Sequence, residues 1–366
     1  MNALKDAAYM GLAYSLAEKA RGYASPNPYV GALVVKDDVI IGHGYHEGPG
    51  KPHAEIVALD RAGRRAKGAT LYITLEPCVH WGRTPPCVDM VTSVGLKRVV
   101  VSALDPNPLV FQKGVRRIRE AGLAVSIGIL SERNRLLNEF YSAYITRKTP
   151  FVTLKAALSL DGKMATRTYD SQWISSAAVR EYIHLLRGEY DALLVGINTV
   201  LRDDPRLTVR HPNWPNKRIA RIVLDPELRL PLGSRLLATL PRGPILVFTS
   251  QTSSLHKRKK LAKSGVEIFP LSGRAGKIDL GKVFAALGRR EISSVLVEGG
   301  GRIATSLLES KLADKVLLAL SPRLIGGSTA VSFFAGDGAR VLEDALSLNS
   351  ISVIRIGEET ILEGYL

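Results

Sequence analysis

Apolar positions in the first 150 residues recur at two alternating periods. The opening stretch sets Leu4, Ala8, Gly11 and Leu12 at helical spacing, with Tyr and Ser between them. "YVGALVVKDDVIIGHGY" follows, two apolar runs around Asp37-Asp38, the pattern of a β-hairpin. A helix is expected from about His53 to Ala62, then a strand over "ATLYITLEPC", a helix over "CVDMVTSVG" and a strand over "KRVVVSAL". "GVRRIREAG" reads as a helix, and Ala121 to Leu130 as a turn followed by a buried strand. One long helix, "SERNRLLNEFYSAYITRK", runs up to Thr149-Pro150.

Pro150 opens a second pattern. "FVTLKAALSLDG" is a strand, "SAAVREYIHLLRGEY" a helix, and "DALLVGINTV" and "RIARIVLD" are strands. "GPILVFT", "VEIFPL" and "SSVLVEGGG" follow as further strands with helices between, and "RIATSLLESKLA" is a helix. Strands and helices alternating at this spacing imply α/β layers with partly parallel sheets. The boundary is expected near residue 147, giving domains 1–146 and 147–366, each long enough for its own core.

Composition adds limits. The 366 residues are 46% apolar and 23% charged, the balance of a globular protein. No apolar run approaches the ~18 residues of a membrane span. Asp6 and the helical spacing argue against a signal peptide at the start, so the expected setting is cytoplasmic, with no membrane association. Net charge is +16, with 18 Lys and Arg against 13 Asp and Glu through residue 146 and 32 against 21 beyond. That excess suits phosphorylated small molecules or nucleic acid. The densest run, His256 to Lys260, lacks interleaved aromatics and reads as a solvated helix face.

The two cysteines change the picture most. "KPHAEIVAL" and "LEPCVHWGRTPPCVDM" bring one His and two Cys, the three protein ligands of a catalytic zinc with its fourth position open. His53, Cys78 and Cys87 are the candidate ligands. Glu55 is the candidate proton shuttle, because His-x-Glu followed by Pro-Cys and a second Cys is the pattern of zinc deaminases acting on bases. Pro52 and Pro86 each precede a helical pattern, so His53 and Cys87 should open helices, where a thiolate is favoured. A closed structural zinc with His80 as fourth ligand, or a disulfide, are the alternatives.

Eight residues, "VHWGRTPP", separate the cysteines, where nucleic-acid deaminases have two. That insert and "SPNPYVGALVV" resemble the deaminase domain of the bifunctional riboflavin-biosynthesis deaminase–reductase family, with every fixed position of its Pro-Cys-x-His-x-Gly-Arg-Thr-Pro-Pro-Cys pattern present from Pro77 to Cys87. From "PFVTLKAALSLDGKMAT" through "DSQWIS", "LLVGINTVLRDDPRLTVR" and "LVEGGG", the second half resembles the reductase domain of the same family. The resemblance implies a three-layer α/β/α cytidine-deaminase-like domain followed by a dihydrofolate-reductase-like α/β domain, one zinc per chain, and NADPH.

It further implies that Asn27 and the loop from His80 to Thr84 line the pyrimidine pocket. Ala157, Trp173, Thr199, Asp203 and the loop Gly300, Gly301, Arg302, Ile303, Ala304 and Thr305 would hold the cofactor. Ser171, Arg187, Asp203, Leu207, Arg210 and Glu298 would hold the substrate, the two arginines clamping a ribose phosphate. Without the resemblance, Arg187 reads as a surface ion pair and Trp173 as a core residue. Two departures stand out: Phe111 and Gln112 occupy positions usually small and Gly, and Pro226 stands where Ser is frequent. The implied activity is deamination of a phosphoribosylaminopyrimidine, then reduction of its ribosyl group, by a homo-oligomer (dimer or tetramer) with no nucleic-acid partner. The alternative is a zinc nucleoside or tRNA deaminase with an appended non-reductase domain.

Overall fold

The computed structural model describes residues 3–82, 84–273, 277–336 and 338–366. The chain divides into two compact units, Met1–Lys148 and Thr149–Leu366.

The first unit runs α1 (Ala3–Ala17), β1 (Gly31–Lys36), β2 (Val39–Tyr45), α2 (Ala54–Ala62), β3 (Thr70–Leu75), α3 (Cys87–Ser93), β4 (Arg98–Ala103), α4 (Lys113–Glu120), β5 (Ala124–Ile127), α5 (Ser131–Leu137) and α6 (Glu139–Arg147). Its sheet has the order β2-β1-β3-β4-β5. β1 is antiparallel to β2 and β3, whereas β3, β4 and β5 run parallel. Side chains alternate across a strand, and the sequence uses both faces. Ala32, Val34, Ile73 and Val101 pack with Ala58 and Leu59 of α2, Val91 of α3 and Ile118 of α4. Leu33, Val35, Tyr72 and Val100 pack with Met10, Ala13 and Tyr14 of α1 and Leu137 of α5. Helices therefore cover both faces in three layers. Each fully buried Val, Leu or Ile stabilises this arrangement by about 1.5–3 kcal/mol. Gly31 lets α1 approach, since a Cβ there would stand 2.0 Å from the Ala13 carbonyl oxygen.

Two local expectations fail here. The strand in Ala121 to Leu130 is not buried: β5 is the sheet's edge, and both its ends, Ala124 and Ile127, are exposed. The expected long helix is broken at Asn138, whose φ of −107° and ψ of 24° leave the α region. The Asn138 side chain replaces a strand partner, its Oδ1 accepting from the Tyr29 N–H at 2.7 Å and its Nδ2 donating to the Tyr29 carbonyl at 3.1 Å. Nearby, Asn134 donates to the Thr74 carbonyl at 2.7 Å. Buried backbone groups need partners, and these two side chains supply them.

The second unit runs β6 (Phe151–Ser159), β7 (Lys163–Ala165), α7 (Ala177–Arg187), β8 (Ala192–Gly196), α8 (Ile197–Asp203), β9 (Ala220–Leu224), β10 (Ile245–Ser250), α9 (Leu255–Lys263), β11 (Glu267–Leu271), α10 (Leu280–Gly288), β12 (Ser294–Val297), α11 (Gly301–Glu309), β13 (Lys315–Ser321), β14 (Val331–Ser332), β15 (Asn349–Ile356) and β16 (Glu359–Tyr365). The order β11-β10-β9-β8-β12-β6-β13-β16-β15 makes one nine-stranded sheet. It is parallel from β11 to β13 and antiparallel through β16 and β15. Leu154, Leu194, Ile222 and Phe248 bury one face against α10 and α11, and Leu317, Ala319 and Ile361 bury another patch against Val179 and Ile183 of α7.

The strand expected through Val200 stops at Gly196, and the chain turns helical at Ile197. A Cβ on Gly196 would stand 2.7 Å from Ile303 Cδ1, so the junction takes only glycine without rearrangement. β13, β15 and β16 lie beyond the last element expected from the sequence. No helix among the described residues is long and apolar enough to cross a membrane.

Candidate active sites

In the first unit, Pro52 and Pro86 lie at the ends of two loops, just before helices. His53 becomes the N-cap of α2 and Cys87 the first residue of α3, while Cys78 follows the end of β3. The His53 Nδ1 lies 3.0 Å from Cys87 Sγ and 3.6 Å from Cys78 Sγ, and the Cys87 N–H donates to Cys78 Sγ at 3.3 Å. All three ligand atoms lie within 4.8 Å of one another. Both cysteines are free, so there is no disulfide. His80 is outside this cluster, which among the described residues holds three donors and leaves a fourth position open. Its Nδ1 is buried with no hydrogen-bond partner. A hydrogen bond from the Cys87 thiol holds Cys78 well below the usual thiol range, and the same contact pushes Cys87 up. Two thiolates this close repel unless a cation lies between them. The donor set, one imidazole and two sulfurs, therefore fits zinc.

Glu55, the second residue of α2, is 3% exposed and lies beside Cys87. Burial raises its carboxyl to about 7 against the opposing pull of His53. Thr84 Oγ1 is 3.2 Å from His53 Nε2; Arg83, between His80 and Thr84 in the expected pocket loop, lies outside the described residues. Asn27 Nδ2 is 2.9 Å from His46 Nε2, and His46 Nδ1 is 3.2 Å from the Pro52 carbonyl. The His46 ring meets the His53 ring edge-on at 5.0 Å. His46 was missed from the sequence, because nothing in "GHGYHE" distinguishes it from His43. Glu76 was missed too. Its carboxylate accepts from the backbone N–H groups of Asp105, Gln112 and Val115 at 3.0–3.2 Å and so fixes the loop that carries the Phe111-Gln112 departure. Gln112 has φ of +62°, the left-handed conformation in which Gly is at ease, so this backbone turn is made without a glycine.

In the second unit the expected residues come from adjacent parallel strands. Thr199 and Asp203 sit on α8 after β8, and Gly300 to Thr305 follow β12 at the head of α11. Ala157 lies half-buried on the neighbouring β6. Space beside Gly300 is open, with nothing within 4 Å of where a Cβ would stand. A glycine at a helix start with open space beside it suits close approach of a phosphate, so this end of the sheet fits the diphosphate of a dinucleotide. Gly301 has no such freedom, since its Cβ would meet the Phe333 carbonyl oxygen at 2.7 Å. Ala304 points into the core, and Thr305 Oγ1 accepts from the Ala335 N–H at 2.8 Å. Trp173 is 59% exposed with the Arg180 guanidinium 4.5 Å from its ring centre, which rules out the core reading. Ser171 is half-buried on the same β7–α7 loop.

Arg187 and Glu298 form a pair rather than two separate contacts. Arg187 Nε donates to Glu298 Oε1 at 2.7 Å, and its Nη2 donates to Oε2. This pair is largely shielded, with 13% and 11% of the side chains exposed, so the reading of Arg187 as a surface ion pair fails. Although burial opposes it, the Arg187 charge holds the Glu298 carboxyl down at about 2. Lys155 of β6, another residue the sequence did not flag, is lowered by burial and interacts with the charges of Glu298 and Arg187. Leu207 is buried with φ of +49°, and Arg210 is exposed nearby in sequence.

Fold and sites together define a bifunctional enzyme, a zinc-binding deaminase domain followed by a reductase domain of the NADPH-dependent type. Residues 4–103 match the cytidine and deoxycytidylate deaminase zinc-binding region, and residues 150–362 match the RibD C-terminal domain. The riboflavin biosynthesis protein RibD of Aquifex aeolicus is 46% identical over 98% of this chain and 97% of its own length; that of Escherichia coli is 36% identical over 98% and 99%. Among solved structures, RibD of Acinetobacter baumannii matches with a TM-score of 0.87 at 34% identity, covering 100% of this chain and 99% of that one. A diaminohydroxyphosphoribosylaminopyrimidine deaminase/5-amino-6-(5-phosphoribosylamino)uracil reductase from Thermotoga maritima matches with 0.85 at 35%, covering 99% of both. The chain belongs to the RibD family of riboflavin biosynthesis enzymes. The match over residues 150–362 to the RibD C-terminal domain disfavours a nucleoside or tRNA deaminase with a non-reductase appendage.

Proposed function

We propose that the chain deaminates 2,5-diamino-6-(5-phosphoribosylamino)pyrimidin-4(3H)-one and then reduces the ribosyl group, giving 5-amino-6-(5-phosphoribitylamino)uracil. The carrying observation is the three-donor cluster of His53, Cys78 and Cys87 with the buried Glu55 carboxyl beside it. His53, Cys78 and Cys87 would hold a zinc ion, which would supply Lewis acidity and lower the pKa of a water so that hydroxide is available at neutral pH. Glu55 takes the proton of that water and delivers it to the departing amine, so that one water enters and one ammonia leaves. Asn27, with His46 behind it, and the loop from His80 to Thr84 orient the pyrimidine.

In the second unit, NADPH supplies the hydride for C1′ of the ribosyl group. Ala157, Trp173, Thr199, Asp203 and the segment Gly300, Gly301, Arg302, Ile303, Ala304 and Thr305 hold it. Ala304 contributes backbone rather than side chain. Ser171, Arg187, Asp203, Leu207, Arg210 and Glu298 hold the substrate, with Arg187 and Glu298 acting as one unit. Pro226 offers the cofactor no side-chain hydrogen bond.

The test follows the two products separately. Cys78→Ala should remove zinc and lower ammonia release on the order of a thousandfold or more, as for loss of a group acting in the transition state, while reduction of pre-deaminated substrate continues. Deamination retained in that variant sinks the zinc assignment. Absence of NADPH oxidation by the unaltered protein sinks the second.

The same reading makes the protein a cytoplasmic homo-oligomer. β15 is an edge strand whose Ile351 and Val353 are 61% and 60% exposed, and such an edge invites pairing with a second copy. A monomer in sedimentation velocity at micromolar concentration refutes the pairing. Ligand cysteines must stay reduced, as they do in the cytosol, and a Cys78–Cys87 disulfide in protein drawn from its own cells would refute that location.

A further inference from the structure

His184 stands in the last turn of α7, facing only donors among the described residues. The Arg210 backbone N–H donates to its Nδ1 at 3.3 Å, and Arg187 Nη1 lies 3.3 Å from the same nitrogen. Its Nε2 is 3.0 Å from Arg210 Nη2. Burial, then the charges of Arg187 and Arg210, push the imidazole down to about 4, so the ring is neutral near pH 7. A neutral imidazole has one acceptor and one donor nitrogen. Two donors converge on Nδ1, which makes it the acceptor and puts the proton on Nε2. That N–H then points at a guanidinium N–H, and two donors face each other with no acceptor between them.

A second observation concerns charge. Beyond burial, Arg210 is lowered by Arg187, Arg206 and Arg235, with Glu298 alone pulling the other way. Glu298 is itself engaged by Arg187, whose Nη1 also donates to the Thr208 carbonyl at 3.2 Å. The corner therefore has surplus positive charge and donors at both ring nitrogens for a single acceptor, while every nitrogen of Arg187 is already occupied.

We propose that His184 is a substrate-binding residue: its Nε2–H and the Arg210 guanidinium jointly donate to a phosphomonoester oxygen of the substrate. An anionic oxygen beside the pair, accepting from both, replaces a donor–donor contact by two charge-assisted hydrogen bonds. Arg187 contributes charge to this site but not the N–H contacts, which fall to His184 and Arg210. The assignment rests on the reading that the reductase substrate carries a phosphate.

Ribose 5-phosphate titrated calorimetrically into the full-length protein is the probe. His184→Leu removes both ring functions and should weaken binding about tenfold, the scale of one hydrogen bond to a charged group. KM for the phosphorylated substrate should rise by a similar factor, with kcat and NADPH affinity unchanged. His184→Gln, whose amide can both accept from the Arg210 N–H and donate to the anion, should restore most of the loss. Nitrogen-15 spectra should show the proton on Nε2. Unchanged ribose 5-phosphate affinity in the Leu variant, or a proton on Nδ1, overturns the assignment while leaving the phosphorylated substrate intact. Equal turnover of the dephosphorylated compound by the unaltered protein overturns both.

Discussion

The two sites are built on opposite plans. In the first unit the donors come from two short segments, each carrying a proline just before a helix, and their two sulfurs and one imidazole suit a metal. In the second unit the groups come from β6, α7, α8 and the β12–α11 junction, and the strongest charges already neutralise one another in the Arg187–Glu298 pair. The first site is thus one that an ion would complete. The second is assembled by the protein beforehand, and what it leaves unmatched is a set of N–H groups and a surplus of arginine. A metal site can be an incomplete cluster, whereas a site for a large organic substrate needs a fixed frame with few open valences.

The largest test of this contrast is Glu298→Ala. It strands a buried guanidinium and should destabilise the second unit by about 3–5 kcal/mol, read from the fluorescence of Trp214, which is buried there. Replacing the zinc ligand Cys78 by Ala should shift the same signal far less. A Glu298→Ala loss below about 1 kcal/mol would mean that the pair is not a frame.

Acid gives a smaller, reversible version. The folded-state pKa of Glu298, about 2, is below its ordinary 4.5. Its stabilisation is therefore complete above about 4.5 and lost as pH falls toward 2, on the order of 3 kcal/mol in total. Unfolding of the second unit in acid should steepen within that window, and in Glu298→Gln the steepening should shrink, leaving the part contributed by the exposed Asp161, which is also held down at about 2.

The smallest effect lies in the first unit. Gln112→Gly relieves a left-handed backbone at the loop held by Glu76 and should stabilise by about 0.5–1 kcal/mol in chemical denaturation, the cost of that conformation less the flexibility glycine adds when unfolded. Destabilisation instead would mean that the Gln112 side chain makes contacts worth more than the strain.

The contrast also explains what could be read from the chain. His53, Glu55, Cys78 and Cys87 were legible because metal chemistry demands particular residue types, and the prolines mark where helices start. His46, Lys155 and His184 were not, because their character comes from partners distant in sequence; His184 and Arg210 are 26 residues apart. Secondary structure failed where tertiary contacts overrode local pattern. An asparagine bonded to Tyr29 interrupts a continuous helical period at Asn138, and β8 gives way to α8 at Gly196, where a Cβ would meet Ile303. The apolar run ending in β5 carried no sign that it would lie at an edge. β15, with exposed residues on both faces, has no alternation to find.

Asn138 bears on where the first unit can be cut. The match to the deaminase zinc-binding region ends at residue 103, and the sheet ends with β5, so either point resembles a module border. Yet the amide of Asn138 behaves as a detached peptide group, closing a ladder rung on Tyr29 from 109 residues away. Tyr29 lies two residues from Asn27, which we propose lines the pyrimidine pocket. A fragment stopped at 103 or 130 would keep His53, Cys78, Cys87 and Glu55 yet lose the clasp on the segment that carries Asn27. Modularity here is set by that rung, and a portable deaminase must carry α6 with it.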